Sequence, residues 1–217
     1  EIKRLGDTLD DLLARLEASF EAQRRFVANA SHELRTPLTV ERTLLQVALA
    51  DPNASAAKLR ATCAELLASG RDNERLIEAL LTLASSERGV DRREPLDLAE
   101  LAGRALDQAG LQIERSGLHP APTTGDPALI ERLIANLIDN AVRHNDARGE
   151  VMVRTASESG RSLLMVTNTG PIVPAAEIDL VFEPFARLGN GRTAAADGHH
   201  GLGLSIVRAI AVAHGAT

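Results

Sequence analysis

Tyrosine and tryptophan are absent from the 217 residues, and Phe20, Phe26, Phe182 and Phe185 are the only aromatic side chains. So few rings leave no material for an aromatic cage or a base-stacking platform, and recognition must be polar and backbone-mediated. A single cysteine, Cys63, excludes an internal disulfide and fits a reducing, cytosolic compartment better than an oxidising one. No apolar run approaches the roughly 20 residues needed to cross a bilayer, and the N-terminus lacks the basic-then-apolar plan of a signal peptide, so the chain as given is expected to be soluble. Lysine is nearly missing, with Lys3 and Lys58 its only instances, and the formal net charge of −6 comes from interleaved acids and bases. No basic face is left for a nucleic-acid backbone, so nucleic-acid binding is not expected. The excess of arginine over lysine, with abundant alanine, suggests a GC-rich bacterial genome.

What is present is length and helical periodicity. An apolar fraction of 44% can build real cores, and the length suits two modest domains. From Leu5, apolar residues fall at Leu9, Leu12, Leu16, then Phe26, Ala30, Val40, Leu44 and Val47, which predicts a long helix with a coiled-coil seam. "DPNAS" at 51–55 breaks it, and Ser55 can cap a second helix with a seam at Leu59, Cys63, Leu66, Gly70, Asn73, Ile77, Leu80 and Ala84. Cys63 is expected to pack in the core and Asn73 to set register. Such a hairpin cannot bury its apolar stripe alone, and a homodimer forming a four-helix bundle is the simplest outcome.

"SSERGVDRREP" at 85–95 reads as a linker. Beyond it the pattern predicts a helix near 97–109, a short strand at "LQIE", a helix over 127–144, strands at "EVMVRTA" and "SLLMVTN", and a last helix over 202–213, an α/β sandwich of mixed order. Residues 186–200 lack periodicity and read as a mobile, lid-like loop.

Three constellations carry chemistry. In "FVANASHELRTPLT", 26–39, His32 lies two residues past the seam position Ala30, about 200° round the helix, and should face solvent as a nucleophile. Glu33 can take the proton of one ring nitrogen and leave the other's lone pair free to attack. Thr36, one turn on, could orient a water toward a group carried by His32, and Pro37 should bend the helix just after it. In "LIANLIDNAVRHN", 133–145, Asn136, Asn140, Arg143 and His144 share one helix face, while Ile130, Ile134, Ile138 and Ala141 form the packing arc. Carboxamide oxygens suit Mg²⁺ and Arg143 suits phosphate. "HHGLGLSIV", 199–207, puts Gly201 and Gly203 at a helix mouth where main-chain N–H groups can approach an anion, and "NTG", 168–170, adds a glycine turn after a strand.

In this order and spacing the chain resembles the bacterial sensor histidine kinases of two-component systems, of actinobacterial type. "SHELRTPLT" is similar to the family's phosphoacceptor box, "NLIDNAVRHN" to its N-box, "NTG" to its first glycine box, "FEPFAR" to its F-box and "HHGLGL" to its second glycine box. The resemblance implies an all-α hairpin forming a dimeric four-helix bundle, followed by an α/β sandwich ATP-binding domain of the histidine kinase, Hsp90 and gyrase type. Residues 1–22 would be the closing helix of a HAMP module, 23–88 the dimerisation and phosphotransfer domain, and 95–217 an ATP-binding domain cut short at its C-terminus. It implies that His32 takes the γ-phosphoryl of ATP with Glu33 assisting, and that Thr36 serves phosphatase activity on a response regulator. It implies further that Asn136, Asn140, Arg143, His144, Asn168, Gly170, Gly201, Leu202 and Gly203 bind the nucleotide, with Asn140 on Mg²⁺. The partners implied are a second copy of the chain and a regulator's receiver domain, with the membrane reached only through preceding segments, so that this would be the cytoplasmic portion of a membrane protein.

Three features depart from the family, one being the stop at "AHGAT" where the family's ATP lobe continues. Asn168 stands where aspartate usually bonds the adenine amino group, which predicts weaker adenine binding, and His199 replaces a glycine of the second glycine box. A water-activating glutamate, expected four residues before the metal-binding asparagine in an ATP-hydrolysing machine of the superfamily, is Asn136 here, so a protein side chain is a better acceptor than water. The alternative is a catalytically impaired dimerisation and relay scaffold with a degenerate nucleotide site.

Overall fold

The computed structural model describes residues 2–86, 89–90, 92–109, 117–186 and 200–216. Two compact units emerge, Glu1–Ile77 and Glu78–Thr217.

The first is a helical hairpin. Helix α1 spans Ile2–Ala50 and α2 spans Ala56–Ser86. Along α1, Thr8, Ser31, Thr36, Thr39 and Thr43 each return their hydroxyl proton to the carbonyl four residues back, so these hydroxyls are satisfied within the helix they occupy. Helix α1 runs unbroken through Pro37, because proline removes one main-chain bond from a helix of 49 residues. The connecting loop is polar clockwork: Asp51 accepts from Asn53 N at 3.0 Å and Lys58 Nζ at 2.8 Å, and Ser55 Oγ caps α2 by accepting from Lys58 N at 3.2 Å. Those bonds, the Lys58 one foremost, hold the Asp51 carboxyl below its ordinary pKa.

The half-buried line on α1 passes through Phe26, Ala30, Leu34, Pro37, Glu41, Leu44 and Ala48, so Val40 and Val47, expected on the seam, are exposed. On α2 within this unit the line is Thr62, Leu66, Ser69, Asn73 and the buried Leu76, while Cys63, expected in the core, is exposed, as are Leu59 and Ile77; farther along the same helix Leu80 is half-buried and Ala84 exposed. The physical reason is a polar layer. Glu41 Oε1 accepts from Ser69 Oγ at 2.7 Å and Asn73 Nδ2 at 3.0 Å, which puts a glutamate and a serine on the seam where apolarity alone chose their neighbours. Asn73 does lie on the seam, in a register-setting position. Leu9, Leu12 and Leu16 are 51–57% exposed in the single chain.

In the second unit, β1 (Glu94–Asp97) leads into α3 (Leu98–Gln108), β2 (Pro122–Gly125) into α4 (Pro127–Arg143), and β3 (Val151–Glu158) and β4 (Arg161–Asn168) precede α5 (Gly203–Ala213). Strands β1 and β2 pair antiparallel, as do β3 and β4, the latter with Val151 opposite Asn168 and Glu158 opposite Arg161. Ser159 and Gly160, both at positive φ, make the tight turn of that hairpin. The linker predicted over 85–95 is shorter in the structure: Ser85 and Ser86 end α2, and Glu94 and Pro95 open β1. Neither β1 nor β2 was anticipated, since "EPLD" and "PTTG" contain prolines and no alternation. The strand predicted at "LQIE" lies outside the described residues.

Aspartates start both central helices. Asp97 Oδ1 accepts from Ala99 N at 2.8 Å and Ala121 N at 2.9 Å, tying α3 to the approach of β2, and Asp126 Oδ1 accepts from Ala128 N and Leu129 N. Leu98, Leu101, Ala102, Ala105 and Leu106 of α3 meet Ile130, Ile134 and Ile138 of α4 over Val153 of β3 in one core. His214 locks the far end: its Nε2 accepts from Asp126 N at 3.0 Å and its Nδ1 donates to Ile210 O at 2.8 Å, joining the end of α5 to the start of α4. Ile134 is fully buried at the centre of this core. Replacing it with alanine should lower the unfolding free energy by about 3 kcal/mol, read from urea denaturation of the two proteins side by side.

Candidate functional site

Two clusters, one in each unit, hold the side chains singled out in the sequence. On α1 the seam takes Ala30, Leu34 and Pro37, so helical geometry turns His32 outward, and it is exposed as expected. Glu33, beside the seam, is half-buried, and Thr36 is exposed. The Thr36 hydroxyl donates to His32 O at 3.1 Å, so its proton is committed and its lone pairs are what it offers to a water. Next to this face a shallow concavity is lined by Arg35, Leu38, Thr39, Arg42, Thr43 and Gln46, and it brings two guanidinium groups alongside the histidine's stripe.

In the second unit α4 is divided as its sequence predicts. Ile130, Ile134, Ile138 and Ala141 are buried, and Asn136 and Asn140 lie half-buried on another arc. Asn136 Nδ2 donates to Arg132 O at 2.9 Å, and its Oδ1 would stand 3.5 Å from a β-carbon placed on Gly203, so α5 begins directly beside the asparagine. Among the described residues no side chain caps α5 at its N-terminus. Its first N–H groups, led by a glycine, are therefore available to an anion. Gly201 is bound to its place: φ is +67°, its carbonyl accepts from Phe185 N at 3.0 Å, and an added β-carbon would come within 2.7 Å of Ala186 O. Leu202, by contrast, is only 4% exposed, so its side chain belongs to the core and only its main chain can face a ligand.

Arg143 and His144 close α4. Arg143 pairs with Asp139 at 3.4 Å on its own helix, so a phosphate would have to share the guanidinium. His144 is the C-cap of α4, with an exposed ring, and its carbonyl is the structured group, accepting from Asn168 Nδ2 at 3.1 Å. That bond fixes the Asn168 carboxamide and leaves Oδ1 as the acceptor it presents. A β-carbon on Gly170 would collide with His144 O, so the turn after β4 packs on the end of α4 with no room for any other residue. His199 and most of the 186–200 loop lie outside the described residues.

Among the described residues no group of three His, Cys, Asp or Glu side chains could hold a metal. A carboxamide such as Asn140 still suits Mg²⁺ held largely by water and substrate phosphates. Two residues with no role assigned from sequence, Asn145 and Thr169, meet at the turn, where their contact leaves room only for a glycine at 149.

Residues 22–89 match the His Kinase A (phospho-acceptor) domain, and residues 125–217 match the histidine kinase-, DNA gyrase B- and HSP90-like ATPase domain. These two domains in this order define the two-component sensor histidine kinases, and the chain belongs to that family. It is 50% identical over 222 residues to the sensor protein CutS of Streptomyces coelicolor, an alignment covering 99% of this chain and 53% of that protein. It is 32% identical over 231 residues to the signal transduction histidine-protein kinase/phosphatase MprB of Mycobacterium tuberculosis, covering 99% and 44% respectively. Among solved structures, the histidine kinase AdeS of Acinetobacter baumannii is similar with a TM-score of 0.63 and 26% identity, over 84% of this chain and 86% of that one. The chain spans about half the length of the curated relatives it matches.

Gly170→Ala should destabilise the second unit by about 2 kcal/mol through overpacking against His144 O, and weaken nucleotide binding with it. Thermal melting with and without ADP would measure both.

Proposed function

We propose that this chain is the cytoplasmic signalling portion of a membrane sensor kinase that phosphorylates itself on His32 and passes the phosphoryl group to an aspartate of a response regulator. Residues 1–22 relay the input, 23–88 dimerise and carry the phosphoacceptor, and 95–217 bind ATP. The observation that carries the reading is the exposure of His32 on a helix whose neighbouring seam positions are half-buried. A histidine so placed can reach a nucleotide carried by another unit or a partner protein.

In the reaction, Glu33 takes the proton from one imidazole nitrogen while the other attacks the γ-phosphorus of ATP. An N–P bond forms, the bond to the bridging β,γ-oxygen breaks, and ADP leaves. The N–H groups that open α5, with Gly201 and Gly203 allowing close approach, hold phosphate oxygens, and Asn136 stands beside them without the carboxylate that would activate water. Asn168 Oδ1 accepts from the adenine amino group. Asn140 would hold Mg²⁺, which when bound neutralises charge on the β- and γ-phosphates. In transfer to the regulator the N–P bond breaks, an aspartate oxygen of the regulator takes the phosphoryl group, and the proton held by Glu33 returns to the ring, which restores His32. Thr36 accepts a hydrogen bond from the water that hydrolyses the regulator's aspartyl phosphate. The Arg35 and Arg42 guanidinium groups offer positive charge to an acidic receiver surface.

The test is incubation with Mg²⁺ and γ-labelled ATP. Wild type should gain a label that is acid-labile and alkali-stable, and His32→Gln should gain none. Nucleotide binding without label on the wild type would overturn the kinase reading in favour of a relay scaffold. Thr36→Ala should keep at least half of the labelling and lose most regulator dephosphorylation, and Pro37→Ala should alter the ratio of the two activities, each followed with the phosphorylated regulator as substrate.

A further inference from the structure

We infer that Asn145 and Thr169 form a clasp that positions the nucleotide pocket and fixes its preference for adenine, an inference that rests on the reading of Asn168 as the base-recognising residue. Asn145 stands one residue beyond the C-cap of α4, and Thr169 one residue beyond the end of β4. Asn145 Oδ1 accepts from both Thr169 N and Thr169 Oγ1, each at 3.1 Å. The same Thr169 hydroxyl accepts from Glu150 N at 2.9 Å, so its proton and a lone pair are both committed. Thr169 N also points to Glu150 O at 3.2 Å, extending the pairing of β3 and β4 by one step. Gly149 N donates to Asp146 O at 2.8 Å and closes the turn, and a β-carbon on Gly149 would collide with Asn145 Oδ1 and Thr169 Oγ1. The amide and the hydroxyl thus fill the space that a side chain at 149 would need.

The clasp sits one residue from the groups that matter. Asn168 Nδ2 reaches His144 O, and Asn145 reaches Thr169, so two successive residues at the end of α4 are bonded to two successive residues at the end of β4. Neither Asn145 nor Thr169 is assigned a nucleotide contact; they act through Asn168. While the clasp holds, the His144 carbonyl takes the Asn168 amide nitrogen and the oxygen is what the base meets. An acceptor there suits the exocyclic amine of adenine and repels the carbonyl of guanine. A carboxamide freed from His144 can rotate by 180° and offer its donor instead, so the identity of the base would no longer be enforced. These bonds are exposed to solvent, so each contributes modestly.

The test measures ATP and GTP affinity, with melting temperature as a control, for the intact protein carrying Asn145→Ala, Thr169→Val or Thr169→Ser, and for the exchange variant Asn145→Thr with Thr169→Asn. Asn145→Ala and Thr169→Val should each weaken ATP binding by roughly threefold to tenfold, the loss of one or two net hydrogen bonds, and narrow the ATP over GTP preference by a similar factor. Thr169→Ser keeps the hydroxyl and should match wild type, and the exchange variant, which swaps amide and hydroxyl across the same gap, should recover much of the preference. Asn145→Ala carries the test alone if Thr169→Val does not fold, because it leaves β4 untouched. Unchanged affinity and preference in both single variants would overturn the clasp. Equal weakening of ATP and GTP would overturn its role in base selection. Wild-type protein that binds neither nucleotide would overturn the pocket reading and the clasp with it.

Discussion

The burial of Ile130, Ile134, Ile138 and Ala141 along one arc of α4 is the constraint on which the second unit depends. That arc makes the core with α3 and the β3–β4 hairpin, and by helical geometry it leaves Asn136 and Asn140 on the arc that packing does not claim. The polar residues need no device of their own to be presented; the isoleucines present them. The start of α4 is held by its Asp126 cap and by the ring of His214, and its end is held by the turn after β4. A helix pinned at both ends and packed along its length is a suitable rigid mount for the polar groups on its open arc, which we propose meet a phosphate chain.

The hairpin follows another logic. Its apolar stripe is shallow, and Leu9, Leu12, Leu16 and Phe20 remain about half exposed in the single chain. Hydrophobic area of this extent on one helix is more than the single hairpin covers by itself. His32 keeps clear of that demand because it lies opposite the seam, which leaves its face open to other partners.

Much of the fold was legible. The helices at 98–108, 127–143 and 203–213 and the strands at 151–158 and 161–168 fall within one or two residues of where periodicity placed them, because each carries a clear arc or alternation. Strands β1 and β2 were not legible: each is four residues long, contains proline and owes its place to a partner about 30 residues away rather than to its own pattern. The seam slipped by one residue at Val40 and Cys63 for a related reason. Sequence periodicity counts apolar residues, whereas the seam contains Glu41, Ser69 and Asn73, which satisfy one another. In the site, Gly201 and Gly203 were legible as glycines at a helix mouth, and so were the asparagines of α4. The core position of Leu202 and the main-chain role of His144 were not, since both depend on contacts between distant segments. Asn145 and Thr169 were hidden for the same reason, being two short polar residues in loops 24 positions apart.

The Glu41 layer has a mechanical consequence for the hairpin. A slip of one helix along the other by a heptad would carry the carboxylate away from Ser69 and Asn73, toward Leu66 in one direction or Leu76 in the other. A half-buried charge would then face hydrocarbon while two donors lost their acceptor, a penalty far larger than that of a small turn about the helix axis. The layer therefore acts as a detent against piston motion. A displacement applied to α1 would be accommodated as rotation or flexure, modes in which the three polar groups can stay together.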